Sequence, residues 1–439
     1  MLPGDFDLVV IGGGPGGSTA AALARQRGLR VLVAEKEQFP RFRIGESLLP
    51  MGNRILREIG IWPKMAGAGF VPKYGATFHL ANGRASKEIS FSQSLIPEVD
   101  AYTYQVERSK FDSLLLEHAR ELGAEVRFRT RVAGVVSQPE GHEVRLETPA
   151  GTETVSTRWV IDASGRESGE LFPQKQVLEP SAMPKRVAIY SHFVGMSRPA
   201  TRTGGDTVAV RWDSGWFWLI PVSAERTSIG MVTTVEAFRA SGLSPEAFFL
   251  QTVEGSPKLR ELLAGAVPTM PYRVTSDYSY FRKELAAERM FLIGDAAGFF
   301  DPIFSSGVYM SMWTAKRAVA LLLRADAGRR GLTRGEQNRY SAAVKRHARV
   351  FQRLIEAFYD NASFAVFMSP GAPWRIRAAL CSIVAGHARL TWPLWWRFQA
   401  FFLVCWLQRR RVPVCEPLDY STPPFDSAPS RCIPVFSQP

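Results

Sequence analysis

"FDLVVIGGGPGGSTAAALARQRGLRVLVAEK", residues 6–36, decides the fold. Its first six residues are an apolar, β-branched run of the kind that parallel sheets bury on both faces. Gly12, Gly14 and Gly17 then stand in a G-x-G-x-x-G frame, followed by a helix-forming stretch and a second strand, "LRVLVAEK", that reaches Glu35. A lone glycine frame says little. Strand, glycine turn, helix, strand and a terminal acid about twenty residues on make a complete dinucleotide-binding unit. The glycines let the backbone approach a pyrophosphate, and the helix N-terminus offers N–H groups and the positive end of its dipole. Glu35 can accept from ribose hydroxyls, with Lys36 adding positive charge beside it.

Two later segments show how far the nucleotide reaches. "RWVIDASGR" (158–166) reads as a strand leading into a turn with Asp162 and Gly165. "RMFLIGDAAGFFDPIFSSGVYMSMWTAKRAVALLL" (289–323) reads as a strand, a small-residue turn, a loop and a long apolar helix. Asp295, at that strand's end, can bind a ribitol or ribose hydroxyl, and the following helix aims its N-terminus at a ring or phosphate. A nucleotide touched by the first forty residues and again near residue 295 has to be extended, as FAD is.

The remaining chain sets the architecture. Alternating stretches around 70–92 and 187–232 predict a mixed β-sheet, inserted as segments of roughly 65–105 and 175–285 into an α/β, Rossmann-like domain spanning residues 1–330. Residues 331–439 read as a helical, arginine-rich C-terminal region and tail. There "LTWPLWWRFQAFFLVCWLQRRR" (390–411) is interrupted by Pro393, Arg397 and Gln399. It falls short of a membrane span and fits either a cap over a substrate pocket or a membrane-surface helix.

Of the 439 residues 46% are hydrophobic, enough to bury a large core. The formal charge of +13 attracts anionic cofactors, acidic carriers or membrane surfaces, and no motif of a nucleic-acid reader accompanies it. The four cysteines, all beyond residue 380, have no metal or disulfide spacing. The amino terminus enters a strand at once, without a basic segment and apolar run before it, as expected of a cytoplasmic protein.

With these elements in place, the chain resembles the flavin-dependent halogenases, a branch of the FAD monooxygenases related to p-hydroxybenzoate hydroxylase. The resemblance rests on "GGGPGGSTAA" (12–21), "PRFRIGESLLP" (40–50), "GWFWLIP" (215–221) and "GDAAGFFDPIFSSGV" (294–308). The first and last are common to many FAD relatives. The W-x-W-x-I-P pattern is the halogenase hallmark, and Trp216, Trp218, Ile220 and Pro221 match it. From composition alone, two tryptophans on one strand face would more often be core. The resemblance implies instead that Trp216 and Trp218 lie near the flavin and keep substrate from its oxygen chemistry.

The same resemblance implies the rest of the machinery. Reduced FAD and oxygen convert chloride or bromide to hypohalous acid, which Lys73, in "GFVPKYGATF" (69–78), receives on its way to the substrate. The lysine serves as an ammonium that hydrogen-bonds the acid or as a neutral amine that traps the halogen; burial lowers a lysine's pKa and makes the second route accessible, and the sequence does not choose between them. Backbone N–H groups at Ser306 and Gly307 hold the halide. Arg43 of the 40–50 loop, and Gln105 and Arg108 of "YQVERSKFDSLLLEHARELGA" (104–124), are expected to contact the flavin. Tryptophan-specific members carry a glutamate at the position of Phe304, so an activated phenol, pyrrole or carrier-tethered acyl group is the expected substrate. No separate nicotinamide fingerprint is evident, which points to a partner flavin reductase, and no metal site is expected. The competing readings are an FAD monooxygenase or geranylgeranyl-reductase-like enzyme of the same fold, and a flavin-binding protein without turnover.

Overall fold

Phe6–Ile11 lies inside a parallel ladder, bonded on one side to Val31–Ala34 and on the other to Gly151–Asp162. Met290–Leu292 extends the ladder beyond Gly151–Asp162, and Glu125–Arg127 extends it beyond Val31–Ala34. In this computed structural model, which describes residues 5–166, 178, 184–196, 204–276, 279–370, 373–410 and 414–421, the register has a direct consequence. Ile11 pairs with Ala34 and with Asp162, and Asp162 with Leu292, so four strands end side by side at one edge. The segments following them converge there, the position at which doubly wound sheets bind ligands.

The helix Pro15–Arg25 is buried along nearly its whole length and is built from small residues because it is squeezed against that sheet. At Gly17 a Cβ would lie 1.9 Å from the carbonyl oxygen of Gly12. Gly12 itself has φ of 97°, open to glycine without strain. These two glycines serve close packing of turn, helix and strand.

A second sheet runs in the order Val267–Pro268, Arg186–Val194, Thr227–Thr234, Gly215–Pro221, Thr207–Trp212, Gly75–Leu80, Ser86–Ser90. Gly75–Leu80 pairs in parallel with Thr207–Trp212, whereas Arg186–Val194, Thr227–Thr234, Gly215–Pro221 and Thr207–Trp212 follow one another antiparallel, so two distant stretches merge into one mixed sheet. Its faces differ. Ile189, Val210, Phe217, Leu219 and Met231 form a core under the helices Pro245–Glu254 and Pro257–Leu262. Tyr190, Trp216, Trp218 and Ile220 face the main core instead. Strand alternation on Gly215–Pro221 thus puts both tryptophans on one face and the intervening Phe217 on the other.

The long helix Ser306–Ala327 packs on Pro15–Arg25, and Arg334–Tyr359 runs on from it under a Thr333/Glu336 capping box. Helices Asn361–Met368, Ile376–Val384 and Trp392–Arg409 follow. Phe358 and Phe367 reach the mixed sheet at Phe78. Trp392–Arg409 buries Leu394, Phe398, Phe401 and Cys405 and exposes Trp392, Trp395, Leu403 and Trp406. Among the described residues no helix is long and apolar enough to cross a membrane.

Candidate active site

A cavity of about 480 Å³ opens where the strand ends meet the mixed sheet. Gly12, Gly14, Glu35 and Lys36 line one part of it; Asp295, Gly307, Trp216 and Trp218 line another; Arg41, Arg43 and Arg108 lie along it. The size is that of a cofactor site.

The glycine turn is tied to the second strand by a carboxylate. Glu35 accepts from Gly13 N at 2.7 Å through Oε2 and from Glu37 N at 2.8 Å through Oε1. Each oxygen keeps a lone pair for a hydroxyl in the cavity. A Cβ on Gly14 would meet nothing but the Arg41 Nη2, 3.6 Å away, so this glycine leaves open a strip of floor that any side chain would occupy. Arg41 is held there by Asp112 at 2.9 Å and Glu37 at 3.0 Å and lies over the Phe39 ring. Arg43 also lines the cavity, but its guanidinium pairs with Glu37 and is about half exposed. The alternation in "PRFR" hid which arginine is the inner one.

Arg108 makes a two-pronged pair with Asp112, 2.8 and 2.9 Å, and donates to the carbonyl of Ile44 at 2.5 Å. It therefore pins the 41–47 loop to helix Arg108–Glu121 while edging the cavity. Further along that loop, Glu46 is buried and bonded at 2.7 Å to His192, a side chain 146 positions away; its other oxygen has no hydrogen-bond partner among the described residues. Burial raises the Asp295 carboxyl above the usual range, against the pull of Arg166 and Arg108.

Trp216 and Trp218 stand with ring centroids 5.9 Å apart. The Trp218 ring lies over Gly230, the residue paired with it across the sheet, where a Cβ would come within 2.2 Å of the indole. Its Nε1 donates to Ser228, and that of Trp216 to Tyr359. Opposite, Ser305 adopts a left-handed backbone (φ 55°) and Ser306 opens the helix Ser306–Ala327. The first N–H groups of a helix have no acceptor within it. Gly307 lines the cavity; the Ser306 side chain does not. Phe304 is buried against Phe358, away from the cavity.

Lys73 stands one layer back. Its ammonium donates to Ser47 Oγ at 2.8 Å and to the carbonyl of Leu48 at 3.1 Å, with the Phe91 ring 5.3 Å away. Ser47 and Thr207, whose hydroxyls are 3.1 Å apart, form the cavity wall in front of it. Burial pulls its pKa down from 10.5 to about 7, against the opposing charge of Asp206. Lys73 ends the short strand Val71–Lys73, which pairs antiparallel with Thr103–Gln105; there Gln105, across from Val71, likewise lies behind the wall and donates to Thr207 and Gly205.

The open strip at Gly14, the inward guanidinium of Arg41 and the two-sided carboxylate of Glu35 fit an extended dinucleotide. Fold and cavity define an FAD-binding flavoprotein, and the family model described as FAD binding domain matches residues 5–349. A 1H-pyrrole-2-carbonyl-[peptidyl-carrier protein] chlorinase from Pseudomonas fluorescens is 32% identical over 392 residues, 84% of this chain and 87% of the relative. A flavin-dependent halogenase of Armillaria mellea is 32% identical over 338 residues, 71% of this chain and 66% of the relative. Among solved structures, the flavin-dependent brominase Bmp2 superposes with a TM-score of 0.81 at 26% identity, over 92% of this chain and 99% of that one. A flavoprotein/dehydrogenase from Cytophaga hutchinsonii superposes with a TM-score of 0.84 at 26% identity, over 92% and 99%. The chain belongs to the flavin-dependent halogenases.

Proposed function

We propose that this chain halogenates an electron-rich aromatic ring, a phenol or a pyrrole presented free or as a carrier-tethered acyl group, with Lys73 governing delivery of the halogen. The observation that carries the proposal is the buried Lys73 amine, one hydrogen bond behind Ser47 of the cavity wall. Bound FAD, reduced by a separate reductase, supplies the oxygen activation that turns halide into hypohalous acid. Glu35 and Lys36 hold its ribose end, Gly12, Gly14 and Arg41 its phosphates, and Asp295 its ribitol. The first N–H groups of the helix at Ser306 and Gly307 hold halide without a permanent counter-charge, and Trp216 and Trp218 keep the aromatic substrate off the flavin.

A pKa near 7 keeps both forms of Lys73 present at neutral pH. As ammonium, Lys73 donates to the oxygen of hypohalous acid. The ring's electron pair then takes the halogen, the O–X bond breaks, and hydroxide leaves as water carrying the ammonium proton. The amine then takes the proton lost from the ring carbon. As neutral amine, it forms an N–X bond with loss of water; the ring's electron pair then takes the halogen as the N–X bond breaks, and the nitrogen takes up the proton lost from the ring carbon. The glutamate that tryptophan-specific members carry is replaced here by Phe304, so that particular carboxylate is not offered to the ring cation. Rings that stabilise the cation themselves are the suited substrates. The C-terminal helices, reaching the sheet through Phe358 and Phe367, cap this side.

The test is mass spectrometry of products from a phenol, pyrrole and carrier-bound panel with chemically reduced FAD and sodium chloride or bromide. Lys73→Ala should still consume oxygen at the flavin but lose product by orders of magnitude. Lys73→Arg, charged yet unable to become a neutral amine, should restore little. Oxygenated product regardless of halide would favour a monooxygenase. Near-parental halogenation by Lys73→Ala would remove the lysine from the mechanism.

A further inference from the structure

Asp301, Tyr359 and Trp216 meet at one buried point that ties three distant parts of the chain together. Asp301 Oδ1 accepts from Ile303 N at 3.0 Å, closing the start of the turn that leads to Gly307. Its Oδ2 accepts from the Tyr359 hydroxyl at 2.8 Å, and that same hydroxyl accepts from Trp216 Nε1 at 2.8 Å. Arg186, itself buried, lies flat on the Tyr359 ring with its guanidinium carbon 3.3 Å from the centroid, and sits 3.9 Å from Asp301. Tyr359 is the last residue of helix Arg334–Tyr359, so this contact comes from the C-terminal region rather than from either sheet.

The turn it reaches needs holding. Ser305 is a non-glycine residue in the left-handed region, a conformation that persists only where neighbours over-determine it. Ser305 N donates back to the carbonyl of Pro302 at 2.9 Å, so the turn is a closed loop whose entry is fixed by Asp301. The direction of the N–H groups at Ser306 and Gly307 follows from that loop.

We infer that Tyr359 is a positioning residue for halide: through Asp301 it sets the aim of the 302–307 turn, and through Trp216 it holds the shielding strand at a fixed distance from that turn. The inference rests on the reading of this turn as the halide site. A single hydroxyl supplied by the C-terminal helices thereby aligns two motifs that lie more than eighty residues apart in sequence.

The experiment is titration of sodium bromide into oxidised, FAD-loaded protein, followed by the absorbance of bound flavin, with FAD affinity measured separately. Tyr359→Phe keeps the ring under Arg186 and removes only the hydroxyl. Its bromide Kd should rise about tenfold, equivalent to about 1.4 kcal/mol, while the FAD Kd stays within about twofold of the parent. Asp301→Asn should weaken bromide similarly. In that background Tyr359→Phe should add little, because the two act through one another. Unchanged bromide affinity in Tyr359→Phe, a parallel loss of FAD affinity, or full additivity would overturn the inference. So would failure of both variants to yield FAD-loaded protein, which would make the cluster a folding element. Gly307→Ala separates the levels. If it weakens bromide and Tyr359→Phe does not, the tether alone is wrong; if neither does, the halide turn is misplaced and the tether falls with it.

Discussion

Replacing Lys73 by methionine should change how stability depends on pH, in a direction the burial of the amine dictates. In the folded chain the amine gives up its proton around pH 7, whereas an unfolded lysine holds it to about 10.5. Between these values the unfolded state binds more protons, so stability rises with pH through the window. At 1.36 kcal/mol per pKa unit, the penalty for this one group shrinks by about 3 kcal/mol from pH 7 to pH 9.5. Lys73→Met keeps the length and apolar stem but has nothing to titrate. Lys87, pulled down by burial to about 8, and the thiols of Cys381 and Cys405, pushed up by burial to about 12 and about 11, also make stability depend on pH here, but they do so in both proteins and cancel in the difference. Urea unfolding of parent and variant at the two pH values, at saturating FAD, measures it. The variant should be the more stable of the two by a margin that is largest at pH 7 and narrows as pH rises. Parallel pH dependences would refute a buried, neutralisable amine at this position.

The glycine turn should divide by position: Gly14→Val should fold yet lose FAD binding, since its side chain enters the cavity, while Gly17→Ala, driven into the Gly12 carbonyl, should fail to give folded protein. Solubility, circular dichroism and flavin retention distinguish the two. Arg41→Ala should raise the FAD Kd at least about tenfold, the scale of a lost charge-assisted bond, and Arg43→Ala much less, as isothermal titration with FAD would show. Phe304→Glu should not create tryptophan specificity. It places a carboxylate in the packing around Phe358, and thermal melting should record a loss of several kcal/mol, the order of an unpaired buried charge.

How far the sequence could be read depended on how local each signal was. The strand–glycine–helix–strand unit and the turns after Asp162 and Leu292 were legible because each is a continuous run whose residue types follow from backbone geometry. Trp216 and Trp218 were legible as a pair on one face because strand alternation needs no partner. Which face they turn to, and that Gly230 makes room for Trp218, depends on a pairing with another strand. Lys73 was reachable only through family resemblance; a three-residue strand carries no usable periodicity. Its separation from the cavity by Ser47 and Thr207, the Glu46–His192 pair and the Tyr359 hydroxyl all join residues far apart in the chain. No local pattern encodes such meetings. Arg41, which lines the cavity as Arg43 does, was not singled out because alternate residues of a loop lack the fixed inside and outside of a strand.

Along Gly215–Pro221 two separate demands are written on alternate letters. Phe217 and Leu219 answer to Phe249, Leu259 and the other residues beneath the covering helices, and their fitness is a matter of volume and shape. Trp216 and Trp218 answer to the cavity and to the partners of their indole N–H groups. Substitutions at the odd positions therefore disturb only the packing under the covering helices, whereas substitutions at the even positions disturb the main core and the cavity wall at once. A strand of seven residues thus belongs to two interiors at once, one closed by helices and one that opens on the cavity.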